Sequence, residues 1–272
     1  MYSSRLAGLD DVGSHRPPLA QTVAGRRSIT AWWQDVWQRL RQPSPNAAPI
    51  LLLAVIFPFY HAIVMFNRGR TMFMPELGLD RVIPVQPAWM LAYGSIWVFA
   101  FLPAFVVRQP ALTRRAIMAM LTVTIVAYFV FLLYPTVLPR SESVGEGFLA
   151  ASLGVVYSLD PPLNCFPSLH VAWAFVAALT SYRIHRGVGL AALVWATIIG
   201  VSTLYTKQHY VLDVLGGVAI AYAAYLLFLR GYPRTAISDT HRALAPKRAL
   251  RAVWLYCGIV ALLWTYRFVA VS

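Results

Sequence analysis

Long apolar runs alternate with basic or proline-rich segments over most of the chain. Six runs, Ile50–Phe66, Ala88–Val107, Arg115–Tyr134, Pro167–Tyr182, Gly187–Leu204 and Tyr210–Leu229, reach or approach the ~20 residues that a helix needs to cross a bilayer core. A seventh, Ala252–Val271, is also long enough; its Arg267 lies near the end, where a long cation can reach the interface. The pattern predicts an all-α integral membrane protein built as a six-helix bundle, to which a C-terminal helix adds if Ala252–Val271 inserts. Ahead of the first run, Met1–Gln42 is polar and basic. Within it, Ser28–Leu40 carries Trp32, Trp33 and Trp37 and predicts a short interfacial helix. The resulting division is 1–45, a basic tail; 46–230, the six-helix membrane domain; and 231–272, a basic segment with the additional helix.

Composition sharpens this. Apolar residues make up 59% and charged residues 12%, against about 25% charged in soluble domains. A soluble fold this poor in charge could not cover its surface. The 23 Lys and Arg against 10 Asp and Glu give a net charge of +13. The cations sit between apolar runs and are not gathered on one wet face, so they argue against a nucleic-acid partner and for topology signalling. The basic segments are the N-terminal tail, Arg108–Arg115, Arg183–Arg186 and Arg230–Arg251. They fall on alternate sides of the span count and are placed in the cytoplasm, with the N-terminus. Asn67–Pro87, Pro135–Phe166 and the turn Thr206–His209 then face outward. The first apolar run begins too late for a cleavable signal peptide, and Cys165 and Cys257 form no disulfide or metal framework.

This topology gathers three segments at one outer boundary: Tyr134–Arg140 (YPTVLPR), Asn164–His170 (NCFPSLH) and Thr206–Asp213 (TKQHYVLD). His209 and Asp213 are four residues apart, hence on one helical face. A carboxylate there can fix the imidazole tautomer and leave the other nitrogen free to attack. His170, delivered by another helix, can act as general acid and base. Arg140 and Lys207 place positive charge where an oxyanion would sit. Pro167 suits the first turn of a helix, so the amides of Ser168, Leu169 and His170, with the Ser168 hydroxyl, are expected to face an anion. The chemistry points to a phosphate ester, with no metal-ligand spacing. Elsewhere, His61 reads as a helix–helix hydrogen bond, and the Gly216–Gly217 pair as a site of close helix contact.

FPSLHVAWAF and TKQHYVLDVLGG resemble the second and third signatures, P-S-G-H and S-R followed by H-x-x-x-D, of the type 2 phosphatidic acid phosphatase (PAP2) superfamily. YPTVLPR stands in the place of the first, K-x6-R-P. Three positions depart: Leu169 replaces the usual glycine, Ser202-Thr203 lacks the arginine, and Leu133 stands where a lysine is expected. These features, with DRVIPVQPAWMLAY (Asp80–Tyr93), look like the inositol-phosphorylceramide synthase and sphingomyelin synthase branch. The resemblance implies that His209 attacks phosphorus to form a phosphohistidine, Asp213 orients it, His170 moves the proton and Arg140 binds phosphate oxygens, with no metal or organic cofactor. Lys207 is inferred to compensate for the missing arginine. The loss of two cations suits a diester, with one charge, better than a monoester, with about −1.5 to −2.

The leading expectation is a phosphotransferase moving a phosphoryl head group from a phospholipid to a lipid alcohol. One alternative is a phosphatase passing a lipid phosphate to water. Another is a transporter or scaffold without catalysis, against which stands the lack of an inverted repeat.

Overall fold

The computed structural model describes residues 47–56, 58–140 and 144–271. All of them lie in one unit, Ser44–Ser272. The basic tail and the interfacial helix expected over Ser28–Leu40 fall outside the described residues.

The first apolar run forms α1 (Ala47–Ile56) and α2 (Phe59–Asn67). The break falls at Pro58, which has no N–H to continue the ladder. A short α3 (Gly78–Val82) follows in the next connection. The second run begins with a 3₁₀ turn, Pro87–Trp89, and continues as α4 (Met90–Gly94), α5 (Ile96–Phe99) and α6 (Leu102–Val106). The sequence pattern predicts one unbroken helix here. Pro103 cannot donate to the Phe99 carbonyl, and the bonds around it tighten to three-residue spacing, as in Phe101 N to Val98 O and Ala104 N to Phe101 O.

Regular helices make up the rest: α7 (Pro110–Leu133), α8 (Phe148–Leu159), α9 (Leu169–Ile184), α10 (Arg186–Tyr205), α11 (Val211–Ala224, extended by a π turn, Tyr225–Leu229) and α12 (Asp239–Val271). Helix α8 lies inside Pro135–Phe166, which the sequence reading treats as a loop. Helix α12 starts thirteen residues before the expected seventh span and carries its basic turns through Pro246.

Among the described residues, four helical stretches are long and apolar enough to cross a membrane: Pro110–Leu133, Arg186–Tyr205, Val211–Leu229 and Asp239–Val269. Their outer faces are apolar, with Phe129 62%, Leu227 72% and Trp254 74% exposed, a surface that suits lipid and not water. The chain is an all-α membrane protein. Helix α9, 16 residues long, is the central element. It packs on α7, α10, α11 and the α6 segment, and Val171, Ala172, Ala174, Val176, Ala177 and Ala178 are completely buried. Small residues let the neighbouring backbones approach.

Two glycines carry this through. A Cβ at Gly217 would stand 2.6 Å from the Ser168 carbonyl oxygen, and one at Gly216 would stand 2.9 Å from Phe166 Cε2. The expected close contact is therefore between α11 and the start of α9. The Ser168 oxygen is backbone and cannot rotate away, so Gly217→Ala must push the two helices apart. Overpacking of this kind costs about 1–3 kcal/mol. A fall in the thermal midpoint in detergent and a loss of turnover are expected together, whereas Gly154→Ala, where a Cβ meets nothing within 4 Å, is expected to change neither.

The helix ends sort by charge. Arg115 donates to the Phe228 carbonyl, Arg183 to that of Tyr232, Arg234 to that of Tyr182, and the Gln109 amide pairs with His241. The start of α7, the ends of α9 and α11 and the start of α12 thus meet at one basic end. The end of α7, the starts of α9 and α11 and the end of α10 meet at the other, about 36 Å away along the 24 residues of α7.

Candidate active site

The loops at this second end are laced together before any functional side chain is considered. Phe73 pairs with Thr136, and Val137 with Leu163, as isolated β-bridges. Thr136, fully buried, accepts at its Oγ1 from the amides of Cys165 (2.7 Å) and Phe166 (3.1 Å). Its carbonyl accepts from the Asn164 amide. Asp80 ties in the other connection. Its carboxylate accepts from the amides of Leu77 (2.7 Å) and Val211 (2.9 Å), the second at the positive end of α11.

His170, in the first turn of α9, and His209, just before α11, meet directly: His170 Nδ1 is 3.1 Å from His209 Nε2. The other His209 nitrogen, Nδ1, lies 3.0 Å from the Cys165 carbonyl and 3.4 Å from Asp213 Oδ2. A carbonyl only accepts, so His209 Nδ1 carries the hydrogen and Nε2 is the bare nitrogen. His170 therefore donates from Nδ1. Its Nε2, 3.3 Å from the Tyr93 hydroxyl, accepts from Tyr93. One chain of donors and acceptors, Tyr93 to His170 to His209 to Cys165, fixes both tautomers. Asp213, completely buried, also accepts from the Tyr210 amide at 2.8 Å, which closes a capping box on α11. Burial and then the nearby Asp213 charge push the Cys165 thiol up. Cys165 therefore stays neutral and contributes its carbonyl.

The histidines open onto a cavity of about 430 Å³. Trp97, Phe101, Tyr128, Phe131 and Trp173 supply apolar walls, and Arg140, Asp160, Asn164 and Gln208 supply polar ones. Arg140 is held on every nitrogen: Nε by the Lys207 carbonyl, Nη1 by that of Asp160 and Nη2 by Gln208 Oε1 at 2.7 Å. Its guanidinium also stacks 4.6 Å from the Tyr157 ring centroid. Asp160 accepts from the Tyr60 hydroxyl at 2.8 Å.

Two expectations need correction. Lys207 does not line this cavity; its ammonium is 2.9 Å from the Asp80 carbonyl, where it pins the outer connection. Ser168 does not line the cavity either and is completely buried. It is the N-cap of α9, accepting from the Val171 amide, and its own amide is bonded to the Asp213 carbonyl. Helix α9 consequently starts at Leu169 and not at Pro167. Leu169 does line the cavity. His61 lies exposed at the cavity and meets Tyr60 edge-on, in place of the expected interhelical bond. Among the described residues, no group of three His, Cys, Asp or Glu side chains is placed to hold a metal ion.

A family model described as the PAP2 superfamily matches residues 73–227, more than half of the chain. The chain belongs to the PAP2 superfamily. The matched stretch contains Arg140, His170, His209 and Asp213; of the residues lining the cavity, Tyr60 and His61 lie outside it. A PA-phosphatase related-family protein of Dictyostelium discoideum is 34% identical over 55 residues, 20% of this chain and 10% of that relative. The chain thus spans about a tenth of the relative's length. No solved structure matches.

Sequence reading passed over Thr136, Asn164, Cys165 and Gln208, although each stands inside a segment it singled out. Thr136 has a test of its own. Thr136→Val leaves two buried amides without an acceptor, at about 1–3 kcal/mol each, and frees the carbonyl that orients His209. A lower thermal midpoint and slower turnover are expected, with both restored by Thr136→Ser.

Proposed function

We propose that this PAP2 protein is a membrane lipid phosphotransferase that moves a phosphoryl head group from a phospholipid to a lipid alcohol through a phosphohistidine at His209. The observation that supports it best is the direct pairing of His170 Nδ1 with His209 Nε2 at the mouth of a largely apolar cavity.

In this reading the phosphoryl group enters between the two rings. The His209 Nε2 lone pair attacks phosphorus, and the bond from phosphorus to the diacylglycerol oxygen breaks. That oxygen takes the Nδ1 proton of His170, which in the resting site is donated to His209 Nε2. The phosphorylated His209 ring keeps its Nδ1 hydrogen and is cationic; the buried Asp213 carboxylate, with the Cys165 carbonyl, stabilises it. In the second half the acceptor alcohol gives its proton back to His170, its oxygen attacks phosphorus, and the P–N bond breaks. Tyr93 keeps the His170 ring oriented throughout. Arg140 supplies positive charge at the rim. Because the site lies at the end opposite the basic segments, the positive-inside rule puts it on the extracytoplasmic face.

Purified protein in micelles, given a head-group-labelled phospholipid and a lipid alcohol, tests this. Label passing to the alcohol in an acceptor-dependent way is expected. Release of inorganic phosphate from a lipid phosphomonoester, at a rate indifferent to the alcohol, would instead make the protein a phosphatase.

A further inference from the structure

Two carboxamides on the cavity wall have donors with nothing to donate to. Asn164 and Gln208 are 3% and 2% exposed, and both line the cavity beside the histidines. Asn164 Nδ2 and Gln208 Nε2 are buried without a hydrogen-bond partner.

The network decides which end of each amide is nitrogen. Arg140 Nη2 can only donate, so the Gln208 atom 2.7 Å from it is the oxygen, and the free end is the NH₂. For Asn164 there are two steps. Arg70 Nη1 donates to Asn67 Oδ1 at 2.8 Å, so Asn67 turns its NH₂ toward the Phe131 carbonyl and Asn164. The Asn164 atom that receives it is Oδ1, and its NH₂ is left over. Two arginines thus set the direction of two amides, one directly and one by relay.

An unpaired buried donor costs about 1–3 kcal/mol, and an absent ligand is one of the few reasons a protein keeps one. The backbone adds a second sign. Among the described residues, the non-glycine positions in the left-handed region are Asn164 (φ 59°) and Lys207 (φ 48°), the residue before Gln208. Such conformations gather at ligand sites. Charge then narrows the ligand. Apart from the histidines, the Arg and Lys or Asp and Glu side chains lining the cavity are Arg140 and Asp160, one of each sign. The residues lining the cavity therefore bring these two neutral amides and little net charge to an anion.

We propose that Asn164 and Gln208 donate to the non-bridging oxygens of the substrate phosphoryl group, and that this neutral pair selects a phosphodiester lipid over a phosphomonoester. The assignment rests on the reading of the site as one for lipid phosphoryl chemistry, and it names the substrate class.

Two lipids that cannot transfer phosphorus test it: a dialkylphosphinate, a monoanion, and an alkylphosphonate of equal chain length at a pH where it is a dianion. Wild-type protein in micelles is expected to bind the phosphinate about tenfold or more tightly than the phosphonate, ~1.4 kcal/mol. Asn164→Asp and Gln208→Glu keep the acceptors used by Asn67 and Arg140 but replace each free NH₂ with oxygen. Each is expected to weaken phosphinate binding about 10- to 100-fold, the loss of a charge-assisted bond. Equal or tighter binding of the phosphonate by wild type, or unchanged phosphinate binding in both folded variants, overturns the proposal. If the variants do not fold, the discrimination by wild type decides alone. The underlying reading fails separately: turnover surviving in His209→Ala removes the chemistry but leaves the phosphinate result standing, whereas wild type that binds neither lipid overturns both.

Discussion

His209→Ala is expected to lower turnover by about four orders of magnitude or more, as removal of an attacking group does in other covalent catalysts. The size follows from geometry. His209 Nε2 is the bare imidazole nitrogen at the cavity mouth, because Nδ1 is committed to Cys165 and Asp213. His170 cannot take over: its Nδ1 carries the hydrogen donated to His209, and its Nε2 faces Tyr93. His209 is 7% exposed, so alanine leaves a small hole beside the cavity, and the fold is expected to survive. Activity with a matched phospholipid and lipid alcohol, alongside the thermal midpoint, checks both statements. Residual turnover near the wild-type rate would place the nucleophile elsewhere.

His170→Ala is expected to cost about 10²–10⁴-fold, the range for general acid–base assistance, and the loss is expected to depend on the leaving group. A diacylglycerol alkoxide needs the His170 proton as the bond breaks. A nitrophenolate does not. In the first half-reaction, followed as leaving-group release within a single turnover and without acceptor, the variant should therefore be badly impaired on a phospholipid and much less impaired on a lipid nitrophenyl phosphodiester. An equal loss on both would mean that His170 serves to hold His209 and transfers no proton. Tyr93→Phe separates the roles further: it removes the hydrogen bond to His170 Nε2 at 3.3 Å but leaves the proton on Nδ1, so a modest and leaving-group-independent loss is expected.

Much of this was legible in the residues. The apolar runs give the helices because a bilayer forces long apolar stretches to satisfy their own backbone, and α7, α10 and α11 lie where that pattern puts them. The topology that brings His170 to the same end as His209 follows from the same rules, whereas His209 itself stands outside α11, which begins at Val211, so its approach to Asp213 comes from the turn before the helix and not from a shared helical face. The failures have physical causes too. The runs containing Pro58 and Pro103 are apolar throughout, and hydropathy does not register a missing N–H. Lys207 looked like a phosphate ligand because charge was read without direction; its left-handed backbone turns the side chain toward Asp80. Ser168 reads as an anion ligand when the helix is taken to start at Pro167; the helix starts two residues later, at Leu169, and Ser168 is its N-cap, with the hydroxyl accepting from the Val171 amide. Thr136, Asn164 and Gln208 were passed over because a neutral side chain shows its purpose only when its partners, and the lack of them, can be seen.

The most direct measurement is to mix the protein with a head-group-labelled phospholipid, withhold the acceptor, quench in base within one turnover, and map the phosphorylated residue by mass spectrometry. The tautomers set by Cys165 and Tyr93 require the adduct on His209, at Nε2. An adduct on His170, on His209 Nδ1, or on no histidine while exchange proceeds would contradict that assignment.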